Sequence, residues 1–234
     1  MKTSIVITTF NRAALLNNTL ISIVRQNYPG LEIIVVDDGT DSLTSQVCQH
    51  YPVQYIKTPR RATTEYSNPS RPNNIGIRRS KGEVVIIQNA ECMHMDFDTI
   101  ARLSAMVTDR NVVFAKVQAV SMRGTPVMWY CSKEERPVPY FFCGAIKRSW
   151  LEKLRGFDED YTLAGYDDND MGDRLAKEGL EFVFSDILVH HQWHPPAGTI
   201  DWEPMKALYE QKTAAMAADL IGTIRNLNRE WGAL

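Results

Sequence analysis

The sequence predicts an α/β protein, a mostly parallel sheet flanked by helices around one continuous core. Two observations carry this. Short β-branched apolar runs recur at residues 4–8 (SIVIT), 31–36 (LEIIVV) and 84–87 (VVII). Unbroken runs of this kind, rather than apolar–polar alternation, mark strands buried on both faces. Between them lie stretches with apolar residues at helical spacing, so strand and helix alternate.

In chain order, residues 4–8 form the first strand. Asn11 is positioned to cap the next helix, where Ala13, Leu15, Leu16, Leu20, Ile23 and Val24 have helical spacing. Pro29-Gly30 turns the chain into the strand at 31–36, which ends at Asp37-Asp38-Gly39. A short helix over 43–50 and a weaker strand over 53–57 follow. Residues 59–72 are polar and turn-rich and read as a loop, and 73–81 as a helix stopped by Gly82. The strand at 84–87 runs into Gln88-Asn89-Ala90-Glu91, followed by a helix over 97–107 and a strand over 112–120.

After about Arg123 the character changes. Residues 124–139 carry prolines and aromatics and read as a mobile loop, 140–146 as a strand, and 149–154 as a helix capped by Ser149. A loop over 156–165 leads to a helix over 168–177, with Gly179 as its stop. Two short strands are expected at 181–184 and 188–190, a break at Pro195-Pro196, and one long helix over 203–231. No linker separates independent domains, and no pattern recurs at a fixed period, which excludes a solenoid or propeller.

The chain has 234 residues, 26 Lys+Arg against 28 Asp+Glu, 44% hydrophobic and 23% charged residues. That composition excludes disorder, collagen and coiled coil. The near-neutral balance argues against a nucleic-acid binder, although basic residues cluster at Arg60-Arg61 and from Arg71 to Lys81. Cys48, Cys92, Cys131 and Cys143 form no C-x-x-C pair, so no zinc knuckle is expected, and they read as free thiols in a reducing compartment. No apolar run approaches the ~20 residues of a membrane span. Ile5-Val6-Ile7 is too short for a signal-peptide core of roughly 7–15 residues. The expectation is a cytoplasmic protein, with peripheral membrane association or a homodimer through the C-terminal helix left open.

Ligands of open α/β sheets collect beyond the carboxyl ends of the strands. Three polar clusters fall there: Thr8-Thr9-Phe10-Asn11-Arg12, Asp37-Asp38-Gly39 and Asn89-Ala90-Glu91. Neither G-x-G-x-x-G nor G-x-x-x-x-G-K-[ST] occurs, which argues against dinucleotide and P-loop sites. Carboxylates at strand ends instead accept hydrogen bonds from a base or ribose, or hold a divalent cation on a diphosphate.

With these clusters the chain resembles inverting glycosyltransferases of family 2 with the GT-A fold. The matched segments are SIVITTFNR at 4–12, EIIVVDDGT at 32–40, NNIGIRRSKGEVVIIQNAE at 73–91 and GFDEDYTLAGYDDNDMGDRL at 156–175. The last is also similar to the C-terminal half of β1,4-galactosyltransferases and chondroitin polymerases. The resemblance covers most of residues 3–194. It implies a Rossmann-like, mostly parallel but mixed sheet. Residues 1–122 would bind the nucleotide sugar, 123–200 the acceptor and the catalytic base, and 201–234 would form a C-terminal helix.

The same resemblance implies site residues. Thr8, Phe10, Arg12, Asp37, Asp38, Arg71, Asn74, Asn89 and Ala90 would line the nucleotide-sugar pocket, with Asp37 and Asp38 on uracil and ribose. The plainer reading of the two aspartates is turn formation before Gly39, and of Asn74 a helix cap. Asn89-Ala90-Glu91 stands where the family carries an Asp-x-Asp metal motif; Asn89 brings no charge, so the ligand set is weakened. Residues 190–195 stand where related enzymes place a metal-ligating histidine. The implied metal ligands are therefore Glu91, His191 and His194, holding Mn²⁺ or Mg²⁺.

Asp167-Asp168-Asn169-Asp170 matches an acidic stretch in which Asp168 is the catalytic base. Asp167 would contact sugar hydroxyls and Asp170 support the helix start. The plainer reading is an acidic run favoured by the helix dipole, which would also keep Asp168 ionised. Gly144 would let a sugar approach the backbone, and Trp193 would stack on it.

The implied activity is transfer of a sugar from a nucleoside-diphosphate donor, a UDP-sugar first, to a hydroxyl of a glycan, glycolipid or other acceptor, with inversion. A divalent metal would sit at the diphosphate and residues 124–139 would close over the donor. Two other readings compete. A sugar-phosphate nucleotidyltransferase would need a glycine-rich basic loop where residues 9–12 stand. A non-catalytic nucleotide-sugar or glycan-binding module is supported by Asn89 and opposed by Asp168 and His194.

Overall fold

The computed structural model describes residues 2–59, 68–195 and 201–234. Strand β1 (Thr3–Thr9) is buried at every position, as a run of Ile and Val between two helical layers requires. It pairs in parallel with β2 (Leu31–Asp37) on one side and β4 (Val84–Asn89) on the other, and β2 pairs with β3 (Gln54–Lys57). Beyond β4 the sheet becomes mixed. β8 (Cys143–Lys147) runs antiparallel to both β4 and β6 (Asn111–Val120). β9 (Glu181–His191) runs parallel to β6, and β5 (Cys92–His94) ends the order antiparallel to β9. β7 (Pro126–Cys131) folds back on β6. The expected α/β architecture with a single core is present, and strands from both halves of the chain interleave in one sheet.

The helices are α1 (Ala13–Val24), α2 (Leu43–Cys48), α3 (Ser70–Arg79), α4 (Thr99–Met106), α5 (Arg148–Leu154), α6 (Asp167–Lys177) and α7 (Glu203–Ala217). α3 lies close on the sheet because Gly76 has no Cβ; one there would run into Val6 Cγ1 and come within 3.2 Å of Val36 Cγ2. All four cysteines are buried and free. Among the described residues no helix is long and apolar enough to cross a membrane.

Several elements differ from expectation. Asn11 does not cap α1. It takes a left-handed backbone (φ 53°), and its Oδ1 accepts Thr40 N at 2.7 Å and Asp41 N at 3.1 Å, tying the β1–α1 turn to the loop after β2. Arg12 takes the N-cap position instead. α3 starts at Ser70, earlier than expected, because Asn68 Oδ1 accepts Ser70 N at 2.9 Å. The loop expected over 124–139 contains β7, and the two short strands expected after Gly179 are one strand, β9, with a register shift opposite Phe114 and Lys116.

The long C-terminal helix ends at Ala217. Its apolar spacing misleads beyond that point: Leu220 and Leu227 are exposed, whereas the polar Thr223, Arg225 and Asn226 are buried. Arg225 reaches Asp170 Oδ1 (3.1 Å) and Asp158 Oδ2 (3.3 Å), so ion pairing rather than apolar periodicity sets the path. α7 itself packs back on α6, with Met205 and Met216 buried and Tyr209 donating to Asp173 Oδ2 at 2.8 Å.

Candidate active site

Register brings the predicted clusters together. Thr8 stands level with Val36 on β2 and Asn89 on β4, and Thr9 stands level with Asp37. The carboxyl ends of β1, β2 and β4 therefore meet at one edge of the sheet, with Phe10 on the turn beyond β1. Asp37 is fully buried. Its Oδ1 accepts Gly39 N at 2.8 Å, and its Oδ2 accepts the Tyr55 hydroxyl at 2.7 Å and faces Lys57 Nζ at 3.0 Å. Oδ1 thus serves the turn, and Oδ2 ties the end of β2 to β3. Asp38 accepts from Thr58 Oγ1 at 2.6 Å while its own N–H donates to Thr9 O at 3.0 Å.

The end of β4 meets the end of β9 through β5. Cys92 pairs with His191, and Gln192 N donates to Glu91 O at 3.0 Å. This carries His194 next to Glu91, with Nε2 3.9 Å from Glu91 Oε1. Arg12 lies between them: Nε donates to Glu91 Oε1 at 3.2 Å, and Nη2 lies 3.2 Å from His194 Nδ1. His191 sits behind His194 (ring centroids 5.3 Å apart), edge-on to Tyr130 and Phe142. Burial, with His194 beside it, lowers its pKa to about 4, so the imidazole is neutral.

A second cluster lies at the start of α6. Gly165 and Tyr166 take left-handed backbones (φ 96° and 65°) and deliver Asp167 and Asp168 to the first turn. Asp167 is buried and accepts Asn68 Nδ2 at 3.1 Å. Burial raises its pKa to about 6, against the pull of that bond and of two backbone hydrogen bonds. Asp168 is half-buried. Desolvation, then the charge of Asp167, push its carboxyl well above the ordinary value, opposed by a backbone hydrogen bond at Phe141. Both effects run against the ionised Asp168 expected from the helix dipole. Neighbouring carboxylates in such a setting share their protons as a pair.

A family model described as "Glycosyl transferase family 2" matches residues 4–163. The chain belongs to that family. The Pasteurella multocida protein "Chondroitin synthase" is 26% identical over 82% of this chain and 25% of its own length. "Poly(ribitol-phosphate) beta-N-acetylglucosaminyltransferase TarS" of Staphylococcus aureus is 25% identical over 58% of this chain and 24% of its own length. The family 2 chain thus spans about a quarter of the length of these relatives. Among solved structures, the mannosyltransferase PcManGT of Pyrobaculum calidifontis, in complex with GDP-Man and Mn²⁺, superposes with a TM-score of 0.65 at 21% identity. That match covers 93% of this chain and 64% of that one. TarS 1–349 of S. aureus with UDP-GlcNAc gives 0.61 at 16% identity, over 84% and 60%. The mixed sheet with helices on both faces is that of the GT-A fold.

The metal set implied for this family 2 chain is not assembled. Among the described residues no three His, Cys, Asp or Glu side chains converge as a metal cage would need. Glu91 offers one carboxylate that already holds Arg12, His194 offers one imidazole, and the His191 ring is enclosed by aromatic neighbours. The donor set of Glu91, His191 and His194 does not fit a divalent ion in this arrangement, because Glu91 Oε1 already binds the Arg12 guanidinium, His194 Nδ1 faces the same guanidinium, and no third donor converges on them among the described residues.

Other expected residues lie apart. Asn74 is fully buried in α3. Its amide donates to Phe157 O and Glu159 Oε1, both at 2.8 Å, and accepts Phe157 N at 2.7 Å. It fixes the turn at 156–159 and reaches neither cluster. Asn74→Ala is expected to cost about 1–3 kcal/mol through the buried groups left unpaired, measured by urea unfolding, with nucleotide binding unchanged. Arg71 donates to Ala233 O at 3.1 Å and lines a cleft of about 230 Å³ with Asn68, Glu159, Tyr161, Thr162 and Arg229. Ala90 is fully buried, its carbonyl accepting Thr19 Oγ1 at 2.7 Å. At Gly144 the space expected for a sugar is filled: a Cβ there would lie 2.9 Å from Phe141 Cδ1 and 3.2 Å from Phe114. Trp193 is exposed beside His194, as is Trp202, whose ring lies over Gly165. Arg60, Arg61 and Pro196 lie outside the described residues.

Two residues were missed by sequence reasoning. Asn68 orients Asp167 and starts α3, and Asn68-Pro69-Ser70 does carry a helix-start signature. Gln192 bonds Asn18, Thr19 Oγ1, and the carbonyls of Leu15 and Glu91. No local pattern marks it.

Proposed function

We propose that this chain transfers a sugar from a nucleoside-diphosphate donor, a UDP-sugar in the first instance, to the hydroxyl of a glycan acceptor, with inversion. The observation that carries the proposal is the Asp167–Asp168 pair at the start of α6, with both carboxyls held above their ordinary range. A general base works best when its pKa lies near the operating pH. Asp168 takes the proton of the acceptor hydroxyl as that oxygen bonds the anomeric carbon. The bond from that carbon to the diphosphate breaks on the opposite face, and its electron pair leaves with the diphosphate. One displacement inverts the centre without a covalent intermediate. Asp167, oriented by Asn68, steers the acceptor and raises the basicity of Asp168.

The donor's base and ribose are assigned to the β1–β2 end, beside Thr8, Phe10, Asp37 and Asp38, and its diphosphate to the β1–β4 end, beside Arg12 and Asn89. The UDP-GlcNAc bound by TarS and the GDP-Man bound by the Pyrobaculum enzyme make UDP- and GDP-sugars the donors to test. The test is release of nucleoside diphosphate from a panel of UDP-sugars and GDP-mannose, with and without oligosaccharide acceptors, and the anomeric configuration of the product by NMR. Acceptor-dependent release with an inverted product supports the reading. Tight donor binding with no turnover on any acceptor supports a binding module instead.

A further inference from the structure

We infer that the positive charge facing the donor's diphosphate is the Arg12 guanidinium, positioned by Glu91 and His194, and that nucleotide binding therefore needs no divalent ion. This rests on the donor site proposed above.

The position comes from the sheet. Arg12 follows the end of β1, and its side chain spans to Glu91, just beyond the end of β4. It therefore stands in the gap between two parallel strand ends, where ligands of such sheets collect. The chemistry comes from what surrounds it. Asn89 contributes no charge at the end of β4. Glu91 is the carboxylate at that strand end among the described residues, and Arg12 Nε already binds its Oε1 at 3.2 Å. Side-chain exposure is 18% for Arg12 and 13% for Glu91, so the pair sits mostly out of water. A metal taking Glu91 would leave a largely desolvated guanidinium without its carboxylate, which is the costly way to break such a pair.

Arg12 is also equipped for the task. Nε is committed to Glu91, and Nη2 lies by His194 Nδ1 and Pro195 O, whereas among the described residues Nη1 makes a 3.4 Å contact to Asn11 O. A guanidinium is permanently charged and presents its donors in a planar fork that suits phosphate oxygens. A fixed cation at the point where the leaving group gains charge stabilises the transition state without reorganising. Glu91 is then a positioning residue that aims Arg12 rather than a metal ligand. The two roles make opposite predictions when its charge is removed and its hydrogen-bond acceptor is kept.

The test is calorimetric titration of UDP, UMP and GDP into the full chain, first with EDTA and then with Mn²⁺. The expected result is diphosphate binding in EDTA within about twofold of that in Mn²⁺. Arg12→Ala is expected to weaken UDP about tenfold or more while changing UMP little, which closes the gap between the two nucleotides. Arg12→Lys restores part of that gap. Glu91→Gln keeps a side-chain carbonyl that can accept Arg12 Nε and removes only the negative charge beside the diphosphate, so UDP binding is expected to stay equal or become tighter. Binding that requires Mn²⁺ and is lost in Glu91→Gln overturns the inference and leaves the donor site standing. Equal losses of UDP and UMP in Arg12→Ala overturn it as well, by making Arg12 merely structural. No binding of UDP or GDP under either condition overturns the donor site and the inference with it.

Discussion

Asp168→Asn is expected to lower sugar transfer about 10²–10⁴-fold, the usual worth of a positioned general base, with UDP binding retained. Rates measured against pH in the parent chain should fall on the acid side, and that limb should lie above the ordinary carboxylate range. The reason is that burial and the Asp167 charge both oppose ionisation of Asp168. Asp167→Asn removes the neighbouring charge, so the acid limb should move to lower pH. A role for Asp167 in orientation alone would lower the rate without moving the limb.

The same shifts bear on stability. A carboxyl whose folded pKa exceeds its unfolded one holds its proton more tightly in the folded state. It stabilises the fold below the unfolded pKa, and this contribution is lost as pH rises through the folded pKa. For Asp167 that upper point is about 6, and for Asp168 it lies above the ordinary carboxylate value. Asp168→Asn should therefore melt higher than the parent at pH 8 and differ little at pH 4. An inactive variant that melts lower at pH 8 would place Asp168 in the fold rather than in the chemistry.

Asp170→Ala is expected to have the largest effect on stability, about 3–5 kcal/mol by urea unfolding. Asp170 Oδ2 holds Arg174 Nε at 2.7 Å and its Oδ1 holds Arg225 at 3.1 Å, and Arg174 is fully buried. Removing the carboxylate leaves the buried Arg174 guanidinium on α6 without this partner and takes from Arg225, in the C-terminal segment, one of its two carboxylates. A loss below 1 kcal/mol would show that Asp158, which also meets Arg225, carries the network by itself. Asp168 and Asp170 stand two residues apart on one helix turn, yet one is expected to control rate and the other stability.

Much of the parallel part of the sheet was legible because its strands are continuous β-branched runs and its carboxyl-end residues stand together in the sequence. The acidic stretch 167–170 was legible for the same reason. What was hidden depends on partners distant in the chain. Glu91 and His194 look like metal ligands when read singly, and only the pairing of Cys92 with His191 shows that Arg12 reaches both. Asn74 and Gly144 look like pocket residues until the groups filling the space around them are known: the turn at Phe157 for one, Phe114 and Phe141 for the other. The C-terminal segment misled because its apolar residues keep helical spacing while its ion pairs choose the path.

The interleaving of strands also sets an order of events during synthesis. β8 must enter between β4 and β6, and the ladder partner of β5 is β9, much later in the chain. A nascent chain that has emerged only as far as β7 holds strands whose neighbours are still inside the ribosome. Pairings across so much sequence form slowly, and open strand edges invite association with other chains while they wait. Cutting the gene between the two halves should therefore give insoluble fragments rather than a donor-binding module, because His194 joins Arg12 across 182 positions.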